Sequence, residues 1–141
     1  SERDGERVKE KFLRATPNLR RLREKVDGVA KSNRRWLKGL DQRKILIRHP
    51  HAALNSLLQG AGACVMKLAL TLLDQYVINK RIKAYPVVNV HDEFQYEVES
   101  GRADEFGRLA VQSIKDAGRK LKLRCELNGQ YKIGNNWAET H

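Results

Sequence analysis

Cysteine is scarce in this sequence, which contains only Cys64 and Cys125, far apart in 141 residues. Two cysteines do not make the disulfide framework that stabilises small secreted domains. The sequence also shows no secretory signal and no run of about 18 apolar residues, so it predicts neither export nor a membrane span. Internal repeats and low-complexity tracts are absent as well. These absences favour a reduced, cytoplasmic setting.

Acidic residues are few in the first third of the chain. Residues 1–50 hold 16 basic and 7 acidic side chains, a net charge of +9 out of +11 for the whole chain. A polyanion is the natural partner for such a field, and nucleic acid is the leading candidate. An anionic membrane is less favoured because the basic residues do not lie opposite a strongly apolar helix face. The length fits one domain, or a piece of a larger one.

Two helices are expected in the first third. Charges alternate over residues 2–14 around Val8, Phe12 and Leu13, which predicts a short amphipathic helix with a narrow buried stripe. Thr16 and Pro17 then supply an N-cap and a proline at the first helical position, and a second helix is predicted to about residue 32. Its inner face is expected to carry apolar residues at spacings of three and four: Leu19, Leu22, Val26 and Val29.

Residues 34–48 predict a basic β-hairpin that turns at 39–42. Many positive charges on two short strands suit contacts to a nucleic-acid backbone, since phosphates need charge rather than special geometry. Trp36 is expected to pack against the next helix rather than to stack on a base. The candidate phosphate-binding residues are Arg34, Arg35, Lys38, Arg43, Lys44 and Arg48.

A long helix is predicted from about residue 51 to residue 80, with one continuous apolar stripe formed by Leu54, Leu58, Ala61, Val65, Leu68 and Leu72. Gly60 and Gly62 inside it indicate that something, such as another helix, packs very close. His51, Asn55 and Gln59 follow at i, i+4 and i+8 and form a polar file. The amides could read minor-groove acceptors without sequence preference, or the file could simply be an exposed polar face.

The run from Val87 to Val98 predicts a second hairpin with the triplet His91-Asp92-Glu93 at its tip. Carboxylates at such a tip can hold a metal ion, although Asp is also common in turns for conformational reasons. A helix over residues 102–120 is expected on the same sheet, followed by a strand over residues 121–127. The tail after Gly129 is expected to fold back as a plug around Trp137. The order of elements predicts an α+β fold.

Four segments then follow one another in order: a basic hairpin ending Arg48-His49-Pro50, the run His51 to Gly60, the tetrad Val90 to Glu93, and Gly134 to Trp137. In this order and spacing the sequence resembles the C-terminal end of the family A DNA polymerases. The T-odd phage branch is the most similar, because bacterial members usually carry Arg where His51 stands. The resemblance implies a palm-type antiparallel sheet with a long central helix and packed helices, within a larger polymerase fold. It implies that residues 1–33 are a helical segment from the fingers/palm junction and 34–141 the C-terminal part of the palm.

The resemblance also implies roles for the marked residues. Asp92 corresponds to the palm aspartate that ligands Mg²⁺, Glu93 supports the metal site, and His91 lies near the last primer phosphate. Asn55 and Gln59 correspond to minor-groove contacts on primer-template DNA, with His51 a further contact. Deoxynucleoside triphosphates are the implied substrates, and the cytoplasm of a bacterium or phage-infected bacterium is the implied location, with no membrane partner.

The family's second metal-binding aspartate and its nucleotide-binding fingers helix have no candidate in residues 1–50. We therefore expect a fragment or split subunit that cannot polymerise without an upstream polymerase portion, on the same or a separate chain. A non-catalytic basic nucleic-acid-binding module remains the main alternative. A nuclease using Asp92 and Glu93 ranks lower because the hairpin offers few carboxylates. A zinc site from His49, His51 and Cys64 lacks a recognisable ligand spacing.

Overall fold

The computed structural model describes residues 2–140, with side chains from residue 3. These residues form an α+β fold whose elements, in chain order, are α1 Glu2–Ala15, α2 Pro17–Lys31, β1 Trp36–Lys38, β2 Lys44–Leu46, a 3₁₀ turn Pro50–Ala52, α3 Ala53–Lys80, β3 Ala84–Val90, β4 Glu93–Val98, α4 Ala103–Lys120 and α5 Trp137–Thr140. The strands make two antiparallel pairs, β1 with β2 and β3 with β4. Both predicted hairpins and the four longer predicted helices are confirmed.

The chain divides into two compact units, Ser1–Ala61 and Gly62–His141, and the division falls within α3. The domain boundary expected between residues 33 and 34 stays a prediction. In the first unit the core is formed by Val26 of α2, Leu37 and Ile47 of the basic hairpin, and Ala53 at the start of α3. The side chains of Leu22 and Val29 pack against this cluster, which confirms the inner face predicted for α2.

Two expectations for α1 and α2 are wrong. Val8 and Phe12 of α1 are exposed rather than buried, with 66% and 55% of their surface accessible, because no element of the described residues covers that stripe. Thr16 precedes α2 but makes no capping hydrogen bond. Its hydroxyl instead donates to the carbonyl oxygen of Phe12 at 2.8 Å, back into the last turn of α1.

The second unit is built on the contact between the β3–β4 hairpin, the end of α3 and α4. Leu73 and Val77 of α3, with Ile82, form a core with Phe106 and Ala110 of α4. Three side chains of the hairpin's inner face, Phe94, Tyr96 and Val98, pack on the same cluster. The prediction that α4 lies on this sheet is therefore confirmed.

The long helix α3 does not bury one continuous apolar stripe. Leu72 is buried, but Leu58 is 49% exposed, and the buried residues of the helix are Ala53 at its start and others only from Ala69 onwards. A Cβ on Gly60 would lie 3.3 Å from Cδ1 of Ile45, so the close neighbour is the basic hairpin rather than another helix, whereas Gly62 has open space around it. By length and composition the stretch Pro50–Lys80 could also cross a membrane, a test that core helices pass too.

Two helices end in the same hydrogen-bonded motif. Ile82 N–H donates to the Val77 carbonyl and Arg81 N–H to the Ile78 carbonyl, while Arg81 adopts a left-handed conformation with φ 54°. Lys122 occupies the equivalent position after α4, with φ 54°. This is the Schellman motif, which usually places Gly at the left-handed position. It turns the chain sharply after each helix.

The strand expected over residues 121–127 does not form. The Schellman turn redirects the chain at Lys122, and the residues that follow are irregular. Leu127 packs instead against Gly118 of α4, where a Cβ would lie 2.9 Å from Cγ of Leu127. Trp137 is 48% exposed and begins the four-residue helix α5, so it does not act as a buried plug.

Candidate metal centre and nucleic-acid interface

The tip of the β3–β4 hairpin is a two-residue turn made by His91 and Asp92. Val90 and Glu93 are the last paired residues, and His91 has a left-handed backbone with φ 51°. Such a conformation is uncommon for a residue other than Gly, and His tolerates it better than most. The pairing of six residues of β3 with six of β4 holds this turn in place. One residue, Val87, is left out of the register as a bulge.

The two carboxylates at the tip differ in their surroundings. Asp92 is exposed, as is His91, whereas Glu93 is half-buried and accepts a hydrogen bond of 2.5 Å from the Gln95 amide. The described residues contain no group of three or more His, Cys, Asp or Glu side chains arranged so that it could hold a metal ion. The tip therefore offers at most two neighbouring carboxylates, one free to reach outward and one held by Gln95.

A groove of about 600 Å³ runs beside the tip, lined by Asp92, Gln95, Phe106, Tyr131 and Lys132 among others. Sequence reasoning did not mark Tyr131, whose hydroxyl donates a 2.6 Å hydrogen bond to Oδ1 of Asp104. This hydrogen bond raises the pKa of Tyr131. The tyrosine ring lies against Gly107 of α4, where no Cβ would fit. A glycine inside the apolar pattern of α4 was the available signal for this close approach.

The tail beyond the groove is fixed by local hydrogen bonds rather than by burial. Glu139 accepts from the backbone N–H of Asn135 at 2.7 Å and from the side-chain amide of Asn136 at 2.7 Å. Asn136 in turn accepts from the N–H of Glu139 at 3.2 Å, which caps the start of α5. The segment Gly134 to Trp137 therefore acts, within the described residues, as a helix-capping turn.

The basic hairpin places its charged side chains in solvent. In the register, Trp36 lies opposite Leu46, Leu37 opposite Ile45, and Lys38 opposite Lys44. Leu37 is buried and Ile45 half-buried, so Trp36, Lys38, Lys44 and Leu46 occupy the outward face. All six candidate phosphate-binding residues are exposed. One of them, Arg43, forms an ion pair with Asp41 of the turn.

Trp36 is not among the side chains that pack on the buried cluster of the first unit, and whether it packs against the following helix stays a prediction. It is half-buried, and two cations lie over its ring: the Arg34 guanidinium 3.7 Å from the centroid and the Lys44 ammonium at 4.8 Å. Cations are attracted to the negative face of an aromatic ring, most strongly to tryptophan. The core of the first unit is completed by Leu37 and Ile47 instead.

The polar file is exposed along its whole length. His51 lies in the 3₁₀ turn, and Asn55 and Gln59 lie in the first turns of α3. His51 stacks on His49, with ring centroids 5.6 Å apart. Within residues 2–140 neither the Asn55 nor the Gln59 amide makes a side-chain hydrogen bond, so both are available to a partner. Whether that partner is a DNA minor groove stays a prediction.

Comparisons with known proteins agree on one family. Residues 5–139 match the model of DNA polymerase family A. The chain is 35% identical over 161 aligned positions to the DNA-directed DNA polymerase of Enterobacteria phage T3 and, equally, to that of Escherichia phage T7. Each alignment covers 97% of this chain and 22% of the relative. The corresponding polymerase of Escherichia phage Phieco32 is 32% identical over 145 positions, which cover 98% of this chain and 23% of the relative.

A solved structure has the same fold. The POL domain of Pol1 from M. smegmatis, in complex with DNA primer-template and dNTP, superposes with a TM-score of 0.73 at 21% sequence identity. The superposition covers 83% of this chain and 23% of that one. The chain thus spans about a quarter or less of the length of the proteins it matches. Its sequence and its fold together make it a member of the family A DNA polymerases.

Proposed function

We propose that this chain supplies part of the palm of a DNA-directed DNA polymerase, with Asp92 as a magnesium ligand and the first unit as a contact surface for primer-template DNA. The observation that carries the proposal is the exposed Asp92 at the two-residue turn of a paired hairpin, in a chain matched to the family over residues 5–139. Residues 1–33 would then belong to the junction of fingers and palm, and residues 34–141 to the palm. We expect it to act in the bacterial cytoplasm, with or without phage infection.

The residues at the tip fit a magnesium ion. Mg²⁺ prefers hard oxygen ligands, keeps several waters and is usually held by one or two carboxylates together with substrate phosphates. Asp92 would hold the ion, and Glu93, oriented by Gln95, would support it from the neighbouring position. In nucleotidyl transfer such ions stabilise the attacking and leaving oxygens. His91, exposed beside Asp92, would contact the last primer phosphate.

The tip by itself does not complete a two-metal site. The reaction needs a further aspartate besides Asp92, and the described residues contain no group of three or more His, Cys, Asp or Glu side chains that could hold a metal ion. We therefore expect the chain alone not to extend a primer. The second aspartate and the groups that hold deoxynucleoside triphosphates would come from an upstream polymerase portion, on the same chain or on a separate subunit.

The DNA contacts would be made by two exposed surfaces of the first unit. The basic hairpin offers positive charges to the phosphates, which fixes position without sequence preference. The amides of Asn55 and Gln59 can each donate and accept, and minor-groove acceptors are nearly the same for all Watson–Crick pairs. Such contacts are sensitive to pair geometry and blind to sequence, which suits the growing end of a primer.

The decisive experiment is primer extension by this chain together with the upstream portion of a family A polymerase. Asp92→Asn keeps the shape of the side chain and removes its charge, so we expect extension to fall by about three orders of magnitude or more. Glu97→Gln, which alters an exposed carboxylate on β4, the strand that follows the turn, is the matched control and should retain activity. Extension that survives Asp92→Asn overturns Asp92 as metal ligand.

A non-catalytic DNA-binding module is the second candidate, favoured by the net +9 of residues 1–50. In that case DNA binding falls steeply with salt but is unchanged by Mg²⁺ and by Asp92→Asn. Iron-directed radical cleavage of the chain assembled with the upstream portion tests the metal directly. Fe²⁺ bound in place of Mg²⁺ reduces added hydrogen peroxide, with ascorbate as the reductant that regenerates Fe²⁺, and the hydroxyl radicals formed cut the chain nearby. Cleavage near residue 92 that disappears in Asp92→Asn supports the polymerase site; no cleavage there supports the module.

A further inference from the structure

We infer that the outward face of the β1–β2 hairpin is a stacking site for one unpaired nucleobase of a DNA single strand, with Trp36 as the platform. The inference rests on the proposed function in that the chain acts on DNA. It goes further, because phosphate contacts alone would not distinguish single-stranded from double-stranded DNA, whereas a stacking platform does.

The platform is an apolar surface outside the buried core of the first unit. Trp36 is half-buried, and Leu46 directly opposite it is 66% exposed. Neither side chain belongs to the buried cluster of the first unit. Both lie on the same side of the hairpin, since directly paired residues of antiparallel strands point to the same face. A flat aromatic ring beside an exposed leucine gives a base both a stacking surface and an apolar edge.

Positive charge surrounds this platform. Lys38 and Lys44 occupy the next paired position of the same face, and the Arg34 guanidinium lies over the Trp36 ring. Side chains that are diagonal neighbours on a strand pair remain within reach of aromatic and long residues. The one carboxylate of the hairpin, Asp41, is in the turn and paired with Arg43. The face therefore presents an aromatic surface flanked by cations, which is complementary to a base and its phosphates.

An unpaired base is the part of DNA that matches such a face. In a duplex the base faces are stacked on one another and only their edges reach the grooves. In a single strand every base has a free π-face, and proteins that bind single strands combine aromatic platforms with a basic groove. A duplex could use the cations of this hairpin but not its ring.

The distances of the two cations from the Trp36 ring suggest how a base gains access to it. The Lys44 ammonium lies 4.8 Å from the ring centroid, farther than the Arg34 guanidinium at 3.7 Å. An exposed cation–π contact is weaker than stacking of a base on tryptophan, so an incoming base can take the place of Lys44. The displaced ammonium is then free to pair with the phosphate of the same nucleotide.

Tryptophan fluorescence tests this directly in the full chain. The Trp137→Phe background leaves Trp36 as the only tryptophan. Oligo(dT) of 12 nucleotides should quench its emission, whereas a 12-base-pair blunt duplex should leave it nearly unchanged. Trp36→Leu should weaken oligo(dT) binding about tenfold, the effect expected for one stacked base, and change duplex binding less than twofold. Trp36→Phe, which retains a ring, should recover most of the loss.

Each outcome separates this inference from the proposed function. Lys38→Gln is the matched control: it removes one phosphate contact and should weaken single-strand and duplex binding to a similar degree. Equal losses for both DNAs in Trp36→Leu, or emission that oligo(dT) does not change, overturn the stacking site while leaving DNA binding in place. Failure of the unaltered chain to bind either DNA overturns the DNA contacts of the proposed function as well. If Trp36→Leu unfolds, the quenching of Trp36 emission by oligo(dT) and the DNA binding of Trp36→Phe still test the stacking site.

Discussion

The hydroxyl of Tyr76 on α3 donates a 2.9 Å hydrogen bond to Oδ2 of Asp116 on α4, and so ties together two helices of the second unit. Asp116 also accepts from Gln112 at 3.0 Å and from Arg119 at 2.9 Å. A hydrogen bond to a charged acceptor stabilises a fold by about 1.5–3 kcal/mol when buried, and less here because the site is partly exposed. We expect Tyr76→Phe to lower the free energy of unfolding by about 1 kcal/mol at pH 7, measured by urea denaturation.

The same contact predicts how stability depends on pH. The Gln112 hydrogen bond, with those from Tyr76 and Arg119, lowers the pKa of Asp116, so its stabilisation is present above the unfolded pKa of about 3.9 and lost as pH falls through the lower folded value. Burial and then Asp116 raise the pKa of Tyr76, so its contribution is lost as pH rises past about 10. Asp116→Asn should therefore flatten the loss of stability as pH falls below about 4. An unchanged acid slope would contradict this assignment.

Two glycines with open space around them should respond to alanine in opposite directions. Gly101 has φ +84°, a conformation that costs an alanine about 1–2 kcal/mol, whereas Gly28 lies inside α2, where alanine is favoured over glycine by about 1 kcal/mol. A Cβ at either position would meet nothing within 4 Å, so packing plays no part. Thermal unfolding should show Gly101→Ala destabilised and Gly28→Ala stabilised. The same sign for both would contradict the left-handed turn before α4.

Gly107→Ala should release Tyr131 from α4. The added Cβ would overlap the tyrosine ring, so the ring must move, at a cost of about 1–3 kcal/mol typical of overpacking. The hydrogen bond from Tyr131 to Asp104 would break, and the raised pKa of Tyr131 should fall towards its ordinary value in a spectrophotometric titration. Gly62→Ala, at an open helical position, is the control and should leave the tyrosine titration unchanged.

His91→Gly should separate stability from function at the hairpin tip. Glycine removes the cost of the left-handed conformation at φ 51° and should stabilise the chain by about 0.5–1 kcal/mol in denaturation experiments. If His91 contacts the primer as proposed, primer extension by the assembled polymerase should fall at the same time. Gln42→Gly, at φ 69° in the other hairpin, is the matched control. It should stabilise the chain by a similar amount and leave primer extension unchanged. Unaffected extension in His91→Gly would remove His91 from the site.

Most of the regular structure could be predicted because its signals are local. The apolar spacing of α2 and α4 and the alternation in both hairpins each depend on residues only a few positions apart, and all four elements form. The strand predicted after α4 failed for the same reason: residues 121–127 carry apolar side chains at suitable positions, but Lys122 adopts a left-handed conformation that no sequence pattern announced. The left-handed position of such caps usually contains Gly or Asn, so a lysine there did not indicate that the chain would turn.

The candidate site was predictable in position but not in its surroundings. The His91-Asp92 turn lies where the triplet and the flanking β-branched residues placed it. The hydrogen bond from Gln95 to Glu93 follows from the strand period, but the contact of Tyr131 with Gly107 joins residues 24 positions apart and depends on the path of an irregular tail. The cations over Trp36 were not predicted from the sequence. We expected a helix to cover the ring, whereas Arg34 and Lys44, which lie close to it on the hairpin, reach it.

Because of the bulge at Val87, the effect of a deletion in β3 depends on how many residues are removed. Pro86 and Val88 pair with the consecutive residues Tyr96 and Gln95, so Val87 is an extra residue that has no partner in the ladder. Losing that one residue would leave a regular ladder in which Ala84–Pro86 and Val88–Val90 keep their partners and their faces, because directly paired residues point to the same side. Removal of a second residue of β3 would turn one of these two segments to the opposite side. The reach of Asp92 is thus set by a count along β3, and a double deletion should harm it more than deletion of Val87 alone.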